Sequence, residues 1–138
     1  MNEDAEQELL SLIHSYIGLV RRACDQMMRA FGTSDLLGAV HTGAIPREGA
    51  VAGMTYQFHG VGCEVGIDGD LVDFDFGPEE RCDGFDAWRL SLMAKSSHRW
   101  SDLADEAKVK AVLERLEYRG DVVAPRWHPS PHLYYLAR

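Results

Sequence analysis

Residues 64–86 hold nine acidic side chains and a single base, Arg81, and no other stretch of the chain concentrates so much chemistry. Glu64, Asp73 and Asp75, extended by Asp68, Asp70, Glu79, Glu80 and Asp83, have four readings. They can hold a hard cation through several carboxylate oxygens, supply an acid and base pair, or present a negative surface to a basic partner. In the fourth they lie solvated beneath the chain's own cations, with Arg89 and Lys108 the nearest candidates in the C-terminal region. IDGDLVDFDFG spaces its acids along a strand and lacks the DxDxDG loop ending in a bidentate Glu, so no EF-hand is present.

His59 precedes Cys63 by four residues in FHGVGC. A nucleophilic Cys–His pair needs the two side chains to meet, and the strand pattern below sends Cys63 to the apolar face and His59 into a turn. A thiol among apolar groups is inert, so a structural role is expected for both. Arg89, one turn into a helix, can clamp Asp75, Asp83 or Asp86 through its planar fork. WHPSPH sets His128 and His132 four apart, but its prolines prevent the helix that would bring them to one side, and no metal site is assigned there. His14, His41 and His98 are isolated.

The elements that must position these groups follow from periodicity. Leu9, Ile13, Tyr16, Val20, Cys24, Met27 and Phe31 recur every three or four residues and predict a helix from Asp4 to Phe31, stopped by Gly32. Its wide apolar face suits a core position or a homodimer interface. Ser34 is expected to cap a short helical turn, and residues 43–53 read as a loop. Asp68-Gly69 between two alternating runs predicts a type I′ hairpin that pairs Val65 with Val72, Cys63 with Phe74 and Val61 with Phe76. A second turn at His59-Gly60 would pair Phe58 with Val61 and Tyr56 with Cys63. The resulting three-stranded sheet has one apolar face, while the other carries Thr55, Gln57, Glu64, Asp73 and Asp75. Glu64 directly opposes Asp73, which is destabilising unless a positive group offsets it.

Asp86 caps a predicted helix over 87–95 with Trp88, Leu92 and Leu90 or Met93 inward, and Ser101 or Asp102 caps another to Tyr118 whose inward stripe is Leu103, Ala107, Val109, Val112, Leu113 and Leu116. Val122 and Val123 are expected to pair with Leu133 to Leu136. The chain therefore reads as a single α+β domain over 1–138. An N-terminal helix (1–31), a β-meander (54–76) and an acidic loop with helices (77–119) lead into a C-terminal hairpin (120–138). A helix entering a hairpin also has the outline of a winged helix, but no cationic recognition helix accompanies it.

The 138 residues are 46% hydrophobic with a formal net charge of −8, which excludes intrinsic disorder and argues against nucleic acid or anionic membrane as partner. By segment the charge is −3 over 1–63, −8 over 64–86 and +3 over 87–138, so one segment carries a charge equal to the total. No membrane-length apolar run is present, the N-terminal MNEDAEQELL is acidic where a secretory signal is expected to be basic, and the three cysteines have no CxxC spacing. A cytoplasmic location with free thiols is expected. The absence of a phosphate loop, nucleophile elbow, HExxH or dinucleotide fingerprint gives no reason to expect a cofactor and lowers the case for an enzyme.

FHGVGC followed by LVDFDFGPEERCDGFDAWRL resembles the core of an uncharacterised family of small bacterial proteins, with an FHGxGC strand, then DFDFGP and GFDxWRL. The resemblance spans roughly residues 54–94 and implies that His59, Asp73, Asp75, Phe85, Asp86, Trp88 and Arg89 form one structural unit. It brings no catalytic residues. Its style is similar to that of immunity proteins that neutralise bacterial toxins. The expectation is a binding protein whose Glu64, Asp73, Asp75, Glu79, Glu80 and Asp83 meet the basic cleft of a cognate toxin, with Trp100, Trp127 or Tyr134 as apolar anchor. The alternative is a small metal-dependent or carboxylate-based enzyme using Glu64, Asp73, Asp75 and His59.

Overall fold

The computed structural model describes residues 2–76, 82–125 and 133–137. Helix α1 (Asn2–Phe31) buries Leu9, Leu12, Ile13, Tyr16, Ile17, Val20, Ala23, Cys24 and Met27 in one stripe. It ends at Gly32, whose φ of +69° suits a residue without a Cβ. Helix α2 (Leu36–His41) is capped by Asp35, whose carboxylate accepts from the Gly38 N–H, in place of the expected Ser34. The acid is the better cap because it also meets the positive end of the helix.

Four strands follow in simple antiparallel order: β1 (Glu48–Val51), β2 (Met54–His59), β3 (Gly62–Ile67) and β4 (Asp70–Asp75). The β3–β4 hairpin has the predicted register, with Cys63 opposite Phe74 and Val65 opposite Val72 across Asp68-Gly69. Both turn residues are left-handed, as a type I′ turn requires. Two expectations are corrected. Strand β1 lies inside the stretch read as loop, because an exposed edge strand of sequence EGAV carries no alternating pattern. The β2–β3 turn falls on Gly60-Val61 rather than His59-Gly60, pairing Phe58 with Cys63 and His59 with Gly62. Gly60 takes φ +55° at the first turn position, where a type II′ turn needs glycine. The two-residue shift keeps the apolar face intact but moves Val61 into the turn, where it is 55% exposed. It also makes His59 a strand residue.

The apolar face of the sheet, with Met54, Tyr56, Phe58, Cys63, Val65, Val72 and Phe74, closes one core with the helices. Helix α3 (Ala87–Ser96) runs beside the edge strand β4. There the Ser96 hydroxyl accepts from the Leu71 N–H at 3.1 Å and donates to the Met93 carbonyl at 2.8 Å. A 3-10 turn (Ser101–Leu103) precedes α4 (Glu106–Arg119). Asp105 rather than Ser101 or Asp102 caps α4, since its carboxylate reaches the N–H groups of Ala107 and Lys108. Leu103, Val109, Val112, Leu113 and Leu116 are buried as the spacing predicts, whereas Ala107 is exposed on the first turn. Gly120 ends α4 at φ +87°. Strands β5 (Val122–Val123) and β6 (Tyr135–Leu136) form the predicted C-terminal pair. The architecture is α+β, and among the described residues no helix is long and apolar enough to cross a membrane.

Candidate functional site

Antiparallel pairing sorts the polar face of the sheet into rungs. Glu48, Gln57, Glu64 and Asp73 form one rung across all four strands. Ala50, Thr55, Gly66 and Leu71 form the next, and His59, Gly62 and Asp75 lie on the other side of the first. Exposure falls steadily across this face. Glu48, Thr55, Gln57 and His59 are exposed, Glu64 and Leu71 half-buried, and Asp73 and Asp75 buried.

The covering group at the β4 side is Arg89. Its Nη2 lies 3.0 Å from Asp75 Oδ2, its Nη1 2.5 Å from Asp86 Oδ2 and its Nε 3.5 Å from Asp73 Oδ1. Asp86 also accepts from the Arg89 N–H at 2.8 Å as the α3 cap, so one carboxylate fixes both the start of the helix and the head group of its third residue. Among three carboxylates the guanidinium is held above its ordinary pKa: burial opposes this, but Asp86 and Asp75 outweigh it. Arg89 was expected on Asp75, Asp83 or Asp86, and the structure replaces Asp83 with Asp73. Trp88, expected to pack inward, is 44% exposed, because the face of α3 turned to β4 is used by Arg89 while Leu90 and Met93 fill the core. The Trp88 ring lies 5.8 Å from the Arg89 guanidinium carbon.

His59, expected in a turn, instead reaches across glycine 62 to Asp73, with Nε2 2.7 Å from Oδ2. The imidazole is 48% exposed, while Asp73 is 1% exposed as a residue. Burial pushes the Asp73 carboxyl above the usual Asp value, against the lowering pull of the His59 hydrogen bond and of Arg89. The strand beneath is pinned from the other side of the sheet, where the buried Tyr16 hydroxyl donates to the Asp73 carbonyl at 2.6 Å. Gly62 is required here. A Cβ would collide with Asp75 Oδ1 and come within 2.6 Å of the Phe74 carbonyl oxygen. Gly66 is similarly constrained by the Thr55 hydroxyl at 2.6 Å.

The remaining acids of the segment divide cleanly. Asp83 is buried and pairs with Arg21 of α1 at 3.2 Å, and Asp68 pairs with Arg22. Lys108 pairs with none of them among the described residues. The C-terminal arginines turn elsewhere: Arg115 and Arg119 clamp Glu6, and Arg119 also holds Asp121. Of the six acids expected to form a partner surface, Asp73, Asp75 and Asp83 are thus internal, Glu64 is on the open face, and Glu79 and Glu80 lie outside the described residues. Trp100, one expected anchor, is buried, Tyr134 is half-buried, and Trp127 lies outside the described residues.

Glu64 instead has an unexpected companion in Glu48, two strands away on the same rung. Together with Thr55, Gln57, Gly66 and Leu71 they line a shallow depression of about 380 Å³. Neither carboxylate has a cation within ion-pair distance among the described residues. The Gly53 that follows Ala52 between EGAV and MTYQFH was the available sign of a β1–β2 turn, and of Glu48 with it. Among the described residues no group of three or more His, Cys, Asp and Glu could hold a metal ion.

Residues 9–136 match the family model described as "Domain of unknown function (DUF6896)". No curated protein and no solved structure matches the chain.

Proposed function

From a chain that belongs to this family of unknown function, we propose a cytoplasmic binding protein, an immunity protein that neutralises a cognate bacterial toxin by docking its cationic surface on the open face of the sheet. The observation that carries this reading is the contrast within one rung. Asp73 is buried against His59 and Arg89, whereas exposed Glu48 and half-buried Glu64 lie over the depression and pair with no cation among the described residues. A lysine or arginine side chain laid across Gln57 would meet a carboxylate on either side. A nuclease or nucleic-acid deaminase has such cations around its substrate cleft, and opposed potentials of this kind steer association and fix register. Exposed Trp88, next to Arg89 at the β4 edge, is the aromatic side chain placed to anchor the rim. Glu79 and Glu80 belong to the same proposed surface.

The test is growth rescue. The C-terminal domain of the polypeptide encoded beside this chain, expressed alone, should arrest growth, and co-expression of this chain should restore it. E48Q/E64Q should lose most of the rescue while remaining folded. A neighbour that does not arrest growth, or full rescue by E48Q/E64Q, would overturn the reading.

A second reading draws on the His59–Asp73 contact. An imidazole whose Nε2 is fixed by a buried carboxylate keeps Nδ1 available as a proton acceptor, the arrangement of a general base. Glu64 is the neighbouring carboxylate left to act with it, since Asp75 is committed to Arg89. In that case H59Q would abolish the activity of the chain while leaving its binding intact. In the leading reading rescue survives H59Q.

A further inference from the structure

A cavity of about 580 Å³ lies where α1, the first residue of β4 and the end of α3 meet. Three charged side chains line it: Arg22, Asp70 and Arg99. Arg22 is committed to Asp68. Asp70 and Arg99 have no oppositely charged partner within ion-pair distance among the described residues. Asp70 is half-buried, and burial together with the Asp68 carboxylate pushes its carboxyl above the usual value, as expected of an acid that lacks a cation. Arg99 is held in place without a carboxylate. Its guanidinium carbon lies 4.6 Å from the centre of the Trp100 ring, its Nη2 donates to the Ser11 hydroxyl at 3.4 Å, and its backbone N–H donates to Ser97 Oγ at 3.2 Å. Stacking and neutral hydrogen bonds fix a cation but leave its charge unanswered. Leu19, Met93 and Trp100 add apolar surface, and the last two are buried.

Gly18 is an independent sign on the α1 side of the same cavity. It stands in the middle of a 30-residue helix, where glycine is among the poorest residues. Its φ is not left-handed, and a Cβ built there would meet nothing within 4 Å. Neither backbone strain nor packing inside the chain therefore asks for the missing side chain. Its absence does keep the cavity open. We propose that this cavity binds a free α-amino acid with a large apolar side chain, its carboxylate on Arg99, its ammonium on Asp70 and its side chain against Leu19, Met93 and Trp100. A zwitterion answers both unpaired charges at once, whereas a simple anion would meet Asp70 and a simple cation Arg99. A volume within about 300–1,000 Å³ and a few placed polar groups are the usual features of a small-molecule site. The cavity shares no residue with the depression beside Glu48 and Glu64, so the proposal goes beyond the binding reading and stands or falls separately from it.

Calorimetric titration of the full-length chain with L-valine, L-leucine, L-isoleucine, L-methionine, L-phenylalanine and L-tryptophan, each to about 10 mM, tests this, with thermal melts in parallel. At least one should bind with Kd below about 1 mM and raise Tm by about 4 °C at tenfold excess over Kd. For the tightest of them, the analogue without the ammonium and the analogue without the carboxylate should each bind at least about tenfold more weakly; for phenylalanine these are 3-phenylpropionate and 2-phenylethylamine. Arg99→Met and Asp70→Asn should each cause a similar loss. Gly18→Leu should fill the cavity and weaken binding at least about tenfold, while the Tm of the free chain stays or rises by about 2–4 °C, because leucine is the better helix former. Should a variant not fold, the two analogues on the wild-type chain decide. No binding by any of the amino acids, an analogue that binds as tightly as its parent, or undiminished binding by folded G18L, R99M or D70N would each overturn the proposal.

Discussion

Replacing Arg89 with Met keeps most of the side chain's volume and removes the charge that three carboxylates share. The three are not equally affected. Asp86 is partly solvated and retains its capping bond to the residue 89 N–H, so its loss is small. Asp73 and Asp75 are left buried without their cation, at side-chain exposures of 2% and 11%. Breaking a buried pair by removing one partner costs about 3–5 kcal/mol, a large share of the ~5–15 kcal/mol that holds a domain together. Over 138 residues this corresponds to a drop in Tm of about 10–17 °C. Urea unfolding followed by circular dichroism, with thermal melts in parallel, reads it. The triple variant D73N/D75N/R89M removes the stranded charges as well and should regain at least half of the loss. An R89M protein within about 1 kcal/mol of wild type, or a triple variant no better than R89M, would refute the assignment of Arg89 as the neutralising group of this face.

Gly62→Ala should destabilise the fold by about 2 kcal/mol or more, since the new methyl meets a backbone carbonyl that cannot swing away; equal Cm values in urea would contradict this. Tyr16→Phe leaves the Asp73 carbonyl without its buried donor and should cost about 1–2 kcal/mol at unchanged m. Asp73→Asn should change the pH dependence of stability. Because the native Asp73 carboxyl is held above its usual value, the fold binds this proton where the unfolded chain has released it. The contribution of Asp73 therefore rises as the pH falls through its folded pKa and levels off near the unfolded value of about 3.9. The stability of wild type relative to D73N should accordingly increase from about pH 7 to about pH 4, and a flat or opposite trend in urea titrations would contradict this.

Much of the fold was legible because its signals were local and repeated. The stripe of α1 and the Asp68-Gly69 hairpin each rest on several residues that agree, so an error of one position would have broken the pattern. The β2–β3 register was not protected in this way. Shifting it by two residues leaves every apolar side chain on the same face, so hydrophobicity could not choose between His59-Gly60 and Gly60-Val61. The choice fell to the glycine requirement of the turn and to the pairing of His59 with Asp73, a contact between residues 14 apart that no spacing rule announces. Charge counting identified the right segment but not its partners. The neutralising arginines at 21 and 22 come from outside the apolar stripe of α1, and the expectation for Arg89 named Asp75, Asp83 or Asp86 but not Asp73. Glu48 was missed with β1, since an exposed edge strand has little reason to alternate.

On the proposed reading, the chain satisfies most of its acidic segment internally and leaves Glu48 and Glu64 for a cationic partner. Calorimetric titration of the purified chain with the neighbouring toxin domain, at about 50 and about 300 mM salt, tests it most directly. Affinity should fall at least tenfold with added salt, and E48Q/E64Q should weaken binding at low salt and remove most of that salt dependence. Binding that ignores salt and is unchanged in E48Q/E64Q would contradict it.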